Sequence, residues 1–212
     1  AIRVRGEEHE VSAVMSTAPV NVLSKIVEGS DKLQPLARFK YRPMTFVNLR
    51  FEGRGLLPTV VLWFPEADYP FFRLTEATLS MPWLAPDGMT MLTADLGCEI
   101  GDAIWTMTDE QLGEHCLAHI SRVVPDAQQR YRGCKVLRTA LAYPVFLKEY
   151  ETERRELARS TGVAGLWSIG RNGEFAHILM EDVYWRTLRR TNELAAWLAK
   201  SDTTATAAGA TA

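Results

Sequence analysis

A short apolar stretch followed by two closely spaced glycines is the feature that most constrains this chain. Leu166–Ile169 is predicted to be a strand, Gly170 and Gly173 make a tight turn, and the following residues are predicted to form a helix continuing to about Lys200. Such a turn leaves backbone N–H groups at the positive end of a helix dipole, where an anionic or electron-rich ligand is stabilised. Glycines also let a ligand approach the backbone. The pattern therefore predicts either a ligand-binding turn or a plain connection between a strand and a helix.

The N-terminal end of the chain has a similar strand, turn and helix. Strands are predicted at Ile2–Arg5 and Glu10–Ser16, and residues 17–19 make the turn before a helix at Val20–Val27. We therefore assign residues 1–30 to a strand–turn–helix piece.

Residues 31–150 form a series of short strands joined by turns. These strands are predicted at residues 38–52, Thr59–Phe64, Phe71–Leu74, Met89–Glu99 and Cys134–Phe146. Thr108 and Gln111 form a capping box, which predicts a helix from there to Pro125. Strands that follow one another through turns, rather than through repeated helices, indicate an antiparallel sheet.

The C-terminal part contains a charged helix and a low-complexity tail. The helix is predicted at Glu149–Ser160, before the apolar stretch with its glycine turn. Residues 201–212 have side chains too small to bury much surface, so we expect a disordered tail there.

Composition excludes several classes of partner. The 212 residues are 47% hydrophobic and 24% charged with a net charge of −2, which is ordinary for a globular protein and gives no reason to expect nucleic acid or an anionic membrane. No apolar run approaches the length of a membrane span. Cys98, Cys116 and Cys134 have no metal or redox spacing, which predicts free thiols in a reducing cytoplasm.

The residue types of the glycine turn indicate a function more specifically than the spacing of its two glycines does. The run GRNGEF at Gly170–Phe175, followed by Met180, Glu181 and Asp182, resembles a segment near the C-terminus of FAD-dependent oxidoreductases of the protoporphyrinogen oxidase, amine oxidase and UDP-galactopyranose mutase-like group. In that group the segment closes over the flavin. The resemblance implies that a set of residues at this end of the chain contacts FAD: Gly170, Arg171, Asn172, Gly173, Met180 and Glu181.

Two further segments support the same resemblance. The run from Trp63 to Arg73, with residues 84–88 after it, and the run Tyr143–Phe146 are similar to motifs that occur in the same order in this group. The group also has a turn like that of residues 17–19 beside the dinucleotide, which implies that Ala18 and Pro19 lie near FAD.

The resemblance implies that Arg73 and Tyr143 face a small-molecule substrate. The Arg73 guanidinium could bind a carboxylate or diphosphate, or it could be a solvated strand-edge side chain. The Tyr143 hydroxyl could line the pocket or bond locally at a strand end. No catalytic residue is assigned, since flavin oxidases of this kind usually need no protein nucleophile.

One expected part of the family pattern is missing. The family begins with a strand, a Gly-x-Gly-x-x-Gly turn and a helix that hold the dinucleotide, and no such run occurs here. We therefore expect the C-terminal half of a flavoenzyme, whose FAD site is incomplete without the other half. That half would be a separate chain or a removed segment. The alternatives are a flavin-dependent nucleotide-sugar mutase-like enzyme and a non-catalytic binding subunit that has lost FAD.

The predicted fold is α+β. A mostly antiparallel substrate-domain sheet flanked by helices occupies residues 31–150. Pieces of a Rossmann-like FAD-binding domain occupy residues 1–30 and 151–200, followed by the tail at 201–212.

One pair of histidines could suggest a metal site. His115 and His119 are four residues apart on a predicted helix, a spacing that can hold zinc. No further ligands have matching spacing, so the sequence favours a solvated helical face and predicts no metal site.

Overall fold

A computed structural model describes the backbone of residues 1–209 and the side chains of residues 1–200. The strands are β1 (Ile2–Val4), β2 (Glu7–His9), β3 (Val14–Ser16), β4 (Tyr41–Glu52), β5 (Val61–Trp63), β6 (Arg73–Glu76), β7 (Met89–Gly97), β8 (Tyr131–Pro144) and β9 (Leu166–Ser168). The α-helices are α1 (Val20–Ile26), α2 (Ala103–Thr106), α3 (Asp109–Ile120), α4 (Ala127–Arg130), α5 (Glu151–Arg159), α6 (Gly170–Gly173) and α7 (Met180–Gly209).

The chain divides into two compact units. One unit is residues 41–143, and the other combines residues 1–40 with residues 144–212. The tail predicted to be disordered, 201–212, lies outside the described side chains, and residues 210–212 lie outside the described backbone as well.

The unit of residues 41–143 is built on a five-stranded sheet with the order β5-β6-β7-β4-β8. The pairs β5–β6, β6–β7 and β4–β7 are antiparallel, as the turn pattern predicts. Alternation along β4 and β7 places one set of side chains in a core where Leu49 and Leu92 are fully buried. On α3 the apolar face is also removed from solvent, and its residues are Leu112, Cys116 and Ile120.

The start of α3 confirms a local prediction. The Thr108 hydroxyl accepts a hydrogen bond from the Gln111 N–H at 3.2 Å, and the Gln111 side chain accepts one from the Thr108 N–H at 2.9 Å. This reciprocal pair is the predicted capping box, and it satisfies two backbone donors that a helix end otherwise leaves free.

A buried carboxylate fixes one loop of this unit. Glu76 at the end of β6 is fully buried, and its two oxygens accept hydrogen bonds from the N–H groups of Gly55 and Leu57, each at 2.8 Å. The Thr90 hydroxyl donates a third bond at 2.9 Å. Because all three donors converge on one carboxylate, the loop after β4 is held against the sheet.

The unit of residues 1–40 and 144–212 contains two small sheets. The strands β1 and β2 form an antiparallel hairpin, and β3 pairs with β9 in parallel. The strand predicted at Glu10–Ser16 is therefore shorter, since it begins at Val14, and Glu7–His9 forms a separate strand that pairs with β1. The three described cysteines are free thiols, as predicted. None of the described helices is both long and apolar enough to cross a bilayer.

Candidate cofactor site

The parallel pair β3–β9 brings together two segments from opposite ends of the chain. Val14 lies opposite Leu166, and Ser16 lies opposite Ser168. Because the strands are parallel, their carboxyl ends meet at one edge, which is where ligands bind in open α/β sheets. The turn at residues 17–19 follows one strand, and the glycine turn of α6 follows the other.

Close packing joins these two turns. A Cβ atom added to Gly173 would lie 3.0 Å from Ser168 Oγ, 3.4 Å from the Ser16 carbonyl oxygen and 3.5 Å from the Ala18 carbonyl oxygen. The Ser168 hydroxyl also donates a hydrogen bond to the Gly173 carbonyl at 2.7 Å. A side chain at position 173 would therefore crowd the Ser168 hydroxyl, and glycine allows the two turns to pack closely. In the other turn, Pro19 follows Ala18, and the Pro19 carbonyl accepts the first hydrogen bonds of α1.

Gly170 has a different role from Gly173. Its φ of +80° lies in the left-handed region that favours glycine, and no atom lies within 4 Å of the position that a Cβ would occupy. The backbone at Gly170 is thus open to an approaching group. Arg171 and Asn172 follow it and are half-buried.

The chain beyond this turn differs from the sequence prediction. A single helix from the glycines to Lys200 was expected, but α6 has only four residues and α7 begins separately at Met180. Phe175 between them has a φ of 47° and is fully buried. Its ring lies 4.5 Å from that of Phe39 and 6.0 Å from that of Tyr150, centroid to centroid. Insertion of Phe175 among these rings interrupts the helix.

The positive end of a long helix dipole does not lie at Gly170, contrary to the sequence prediction. A four-residue turn has almost no macrodipole, and the positive end of the long helix lies at Met180 rather than at Gly170. The Asp182 carboxylate already accepts a hydrogen bond from the Leu179 N–H at 3.0 Å. Of the two predicted cofactor contacts on α7, Met180 is 90% exposed and Glu181 is exposed.

An ion pair that sequence reasoning missed connects the glycine turn to α7. Glu174 Oε2 lies 2.9 Å from Arg186 Nη1, and the Glu174 side chain is only 8% exposed. Glu174 Oε1 is buried without a hydrogen-bond partner among the described residues. Glu174 lies within the GRNGEF run, but no local pattern in the sequence pairs it with Arg186, which is twelve residues further along the chain.

The predicted substrate residue Arg73 belongs to the other unit and is bound to a carboxylate. On the sheet, Arg73 lies opposite Asp95 on one side and Trp63 on the other. Its guanidinium pairs with Asp95, which is almost fully buried, and lies 5.4 Å from the centre of the Trp63 ring. Burial raises the pKa of Asp95, against the opposing effect of the Arg73 charge. The pair is net neutral when both groups are charged, so Arg73 is a weaker anion site than the sequence suggests.

An aromatic surface accompanies this ion pair. Trp63 is 64% exposed and stacks on Phe72 at a centroid distance of 6.1 Å. The sequence placed these rings near Arg73, but only the strand register shows that Asp95 lies behind it. The arrangement offers a flat apolar face beside a partly buried ion pair.

Tyr143 is not a neighbour of Arg73. It is half-buried near the end of β8, and β7 and β4 separate β8 from β6 in the sheet. Three strand spacings correspond to about 14 Å. The structure therefore does not bring the two predicted substrate residues into one contact.

The two histidines on α3 lie close to each other. Their ring centroids are 5.3 Å apart, and His119 Nδ1 lies 2.9 Å from the His115 carbonyl oxygen. Among the described residues no group of three or more histidine, cysteine or acidic side chains is arranged to hold a metal ion.

Comparisons with known proteins identify the family. A sequence model described as "Flavin containing amine oxidoreductase" matches residues 2–167, so the match ends before the glycine turn. No curated protein matches the chain.

Solved structures share the fold at low sequence identity. Reduced UDP-galactopyranose mutase matches 79% of this chain and 37% of its own with a TM-score of 0.61 and 18% identity. A single-residue variant of putrescine oxidase matches 89% of this chain and 43% of its own with a TM-score of 0.63 and 18% identity. A candidate protoporphyrinogen oxidase from Exiguobacterium sp. 255-15 matches 76% and 36%, with a TM-score of 0.55 and 15% identity.

The chain spans about two fifths of the length of each of these structures. They share its α+β architecture, which confirms the predicted fold class. With the family match extending over most of its residues, the chain belongs to the flavin containing amine oxidoreductase family.

Proposed function

We propose that this chain is the C-terminal portion of an FAD-dependent oxidoreductase, in which it supplies a wall of the substrate pocket and closes the flavin site. The observation that carries the proposal is the meeting of residues 17–19 with the Gly170 turn at the carboxyl edge of β3 and β9. This is the edge at which a dinucleotide is expected in an α/β sheet.

The residues present fit a flavin dinucleotide in two respects. The backbone at Gly170 is open, so a ligand can approach it without meeting a side chain. The unpartnered Glu174 Oε1 is an acceptor of the kind that a sugar hydroxyl satisfies. Residues 170–173 with Ala18 and Pro19 would hold the cofactor, while Met180 and Glu181 would contribute from the start of α7. The bound flavin supplies the redox chemistry.

On the substrate side, this chain's own residues bind and orient. The exposed Trp63 ring offers a surface for an apolar or planar part of a substrate. Asp95 holds the Arg73 guanidinium in place, so that Arg73 presents a fixed hydrogen-bond donor and not a mobile charge. Tyr143 would contribute at a separate point of the wall.

A mutase-like activity is the second candidate, because the fold is shared with UDP-galactopyranose mutase at a TM-score of 0.61. The two candidates differ in net electron flow. An amine oxidase consumes an external electron acceptor during turnover, whereas a sugar mutase produces no net oxidation. Oxygen uptake with a panel of polyamines, compared with interconversion of UDP-galactose ring forms, separates them.

The visible absorbance of flavin tests cofactor binding directly. The chain is purified alone and together with a polypeptide that carries the Gly-x-Gly-x-x-Gly half. We expect flavin colour in the mixture, and its loss in Gly170→Val, whose side chain would occupy the open position.

Gly29→Val is the matched control. Gly29 belongs to the same unit, has a φ of +78°, and likewise has no atom within 4 Å of a Cβ position. The two substitutions therefore impose similar backbone strain at different places. Equal flavin loss in both variants, or no flavin in any sample, would contradict the proposal.

A further inference from the structure

A cavity of about 230 Å³ lies beside β9 in the unit of residues 1–40 and 144–212. The end of α5, the loop before β9, the strand itself and one side of α7 line it. Its lining includes Leu157, Arg159, Ser160, Trp167, Arg190 and Glu193. We call this space the β9 cavity. None of its described lining residues belongs to the two turns of the candidate cofactor site.

Hydrogen bonds hold the walls of the β9 cavity in place. The Thr161 hydroxyl donates to the Leu166 carbonyl at 2.7 Å, and the Leu166 N–H donates to the Val163 carbonyl at 3.2 Å. On α7, the Arg190 guanidinium donates to the Ala158 carbonyl in the last turn of α5. Because these bonds close the loop and join the two helices, the cavity exists before any ligand enters it, as is usual for small-molecule sites.

One part of the cavity wall is apolar and aromatic. The Trp167 and Trp197 rings pack edge to face with their centroids 5.5 Å apart, and Leu157 is buried beside them in the lining. Trp167 is half-buried, so part of its surface remains available to a ligand. A ligand that covers this wall gains free energy from apolar burial, and an aromatic body also gains from ring contacts.

The charged side chains of the β9 cavity leave an excess of positive charge. Arg190 Nη1 lies 2.7 Å from Glu193 Oε2, so these two charges offset each other. Arg159 is exposed and forms no ion pair or hydrogen bond among the described residues. The lining thus contains two arginines and one glutamate, which gives a net charge of +1.

Side-chain donors in the cavity wall outnumber side-chain acceptors. Ser160 Oγ accepts a hydrogen bond from the Gly162 N–H at 3.0 Å, which leaves its own O–H available to donate. The Trp167 indole N–H is not buried and has no partner within the described part of the chain. With the guanidinium of Arg159, these donors suit a carboxylate, which can only accept hydrogen bonds.

The end of α5 opposes an anion, because the carbonyls at the end of a helix carry negative partial charge. Two of these carbonyls are already bonded. The Ala158 carbonyl accepts from Arg190, and the Glu156 carbonyl accepts from the Ser160 N–H at 3.0 Å. Arg159 lies in the same last turn, where a positive side chain offsets the remaining partial charge.

We propose that the β9 cavity binds a small aromatic monocarboxylate, whose carboxylate meets Arg159 and whose ring lies against Trp167. This inference goes beyond the proposed function, because the binding needs no flavin. A single excess charge favours a monoanion over a phosphate or diphosphate, and it repels a positively charged amine. The cavity is smaller than the roughly 300 Å³ at which pockets for drug-sized ligands begin, so the ligand is small.

Phenylacetate is the probe that tests this inference, with binding measured by isothermal titration calorimetry and tryptophan fluorescence. We expect saturable binding of one phenylacetate per chain. Phenylacetamide keeps the ring but lacks the charge, and it should bind at least about tenfold more weakly, the loss expected for one charge-assisted hydrogen bond. Phenethylamine and inorganic phosphate should also bind more weakly than phenylacetate.

A pair of arginine substitutions on α5 tests the assigned contact. Arg159→Gln should weaken phenylacetate binding about tenfold. Arg155→Gln is the matched control, since Arg155 is 72% exposed on the same helix and does not line the cavity. Its affinity for phenylacetate should equal that of the unsubstituted chain. Circular dichroism verifies that both variants are folded.

Hydrogen exchange with and without phenylacetate locates the binding site. Protection should rise in residues 157–168 and stay unchanged in β5 and β6, where Trp63 and Arg73 offer another ring beside another arginine. The comparison therefore distinguishes the β9 cavity from the substrate residues of the sheet unit.

Several results would overturn the inference: no saturable binding, equal or tighter binding of phenylacetamide, phenethylamine or phosphate, full affinity in Arg159→Gln, an equal loss in Arg155→Gln, or protection in β5 and β6 instead of residues 157–168. Flavin absorbance of the same samples separates this inference from the proposed function. Phenylacetate binding without flavin in any preparation would remove the proposed function and leave the β9 cavity as a binding site. Bound flavin without phenylacetate binding would do the opposite.

Discussion

The two units of this chain differ in how completely each covers its own apolar surface. In residues 41–143, an antiparallel sheet and α3 enclose a core in which Leu49 and Leu92 are fully buried. Exposed aromatic side chains occur there too, but at a strand end and in a loop. In residues 1–40 with 144–212, a parallel pair of three-residue strands is joined to a helix with an apolar row facing outward.

An antiparallel unit can cover its apolar surface with its own residues, whereas a two-stranded parallel unit cannot. Antiparallel strands need only one covered face, whereas parallel strands need neighbours and both faces covered. We therefore expect the unit of residues 41–143 to be the more stable one in the isolated chain, and the other unit to open first.

The largest expected loss of stability is in the unit of residues 1–40 and 144–212. Phe175→Ala removes a fully buried ring that contacts Phe39 and Tyr150, and such truncations cost about 4 kcal/mol. Hydrogen exchange resolved by mass spectrometry should show faster exchange in β3 and β9, with little change in β4 and β7.

Phe146→Ala is the control for this prediction, because Phe146 packs on the same ring but is about half exposed. Its effect should be clearly smaller. Faster exchange in β4 and β7 of Phe175→Ala would show that the two units unfold together.

The next largest expected loss of stability is in the unit of residues 41–143. Glu76→Ala leaves the N–H groups of Gly55 and Leu57 without their acceptor, which we expect to cost about 3 kcal/mol. Urea unfolding measures the loss in unfolding free energy, and hydrogen exchange in β6 and β7 shows where protection is lost.

Glu76→Gln keeps one side-chain acceptor and should lose less. If both variants leave β6 and β7 unchanged while β3 and β9 become less protected, the assignment of this carboxylate to the stability of the sheet unit is wrong.

The smallest effect is a pH dependence within the sheet unit. Burial raises the folded-state pKa of Asp95 above its ordinary value of 3.8, so the folded state holds this proton more tightly than the unfolded state. The resulting stabilisation is fully present below pH 3.8 and is lost as the pH rises through the folded-state pKa. The slope is at most about 1.4 kcal/mol per pH unit.

Asp95→Asn isolates this contribution, because other carboxylates have lowered pKa values and act in the opposite direction. The difference in unfolding free energy between Asp95→Asn and the unsubstituted chain should change with pH above 3.8. A constant difference between pH 3 and pH 7 would contradict the raised pKa.

Local patterns in the sequence predict much of the fold. The capping box at Thr108 and the alternation along β4 need only neighbouring residues, and the structure contains both. The break between α6 and α7 was missed because it depends on Phe175 meeting Phe39 and Tyr150, which are distant in sequence.

Contacts in the candidate site likewise depend on residues that are distant in sequence. The resemblance selected Ala18 and Gly173, and the structure packs them together, but their contact depends on a parallel register between opposite ends of the chain. The pairing of Arg73 with Asp95 also depends on strand register and not on any local motif. No spacing rule for single segments could have predicted either contact.

The pairing of β3 with β9 also determines when the site can assemble during synthesis. On the ribosome β3 is made first, and its partner follows about 150 residues later. At ordinary elongation rates this is a wait of about 8 to 30 s. Residues 41–143 can fold within that interval, since their sheet needs neither end of the chain. The glycine turn thus forms only after residues 41–143 have been made, and the edge of β3 that pairs with β9 lacks that partner until then.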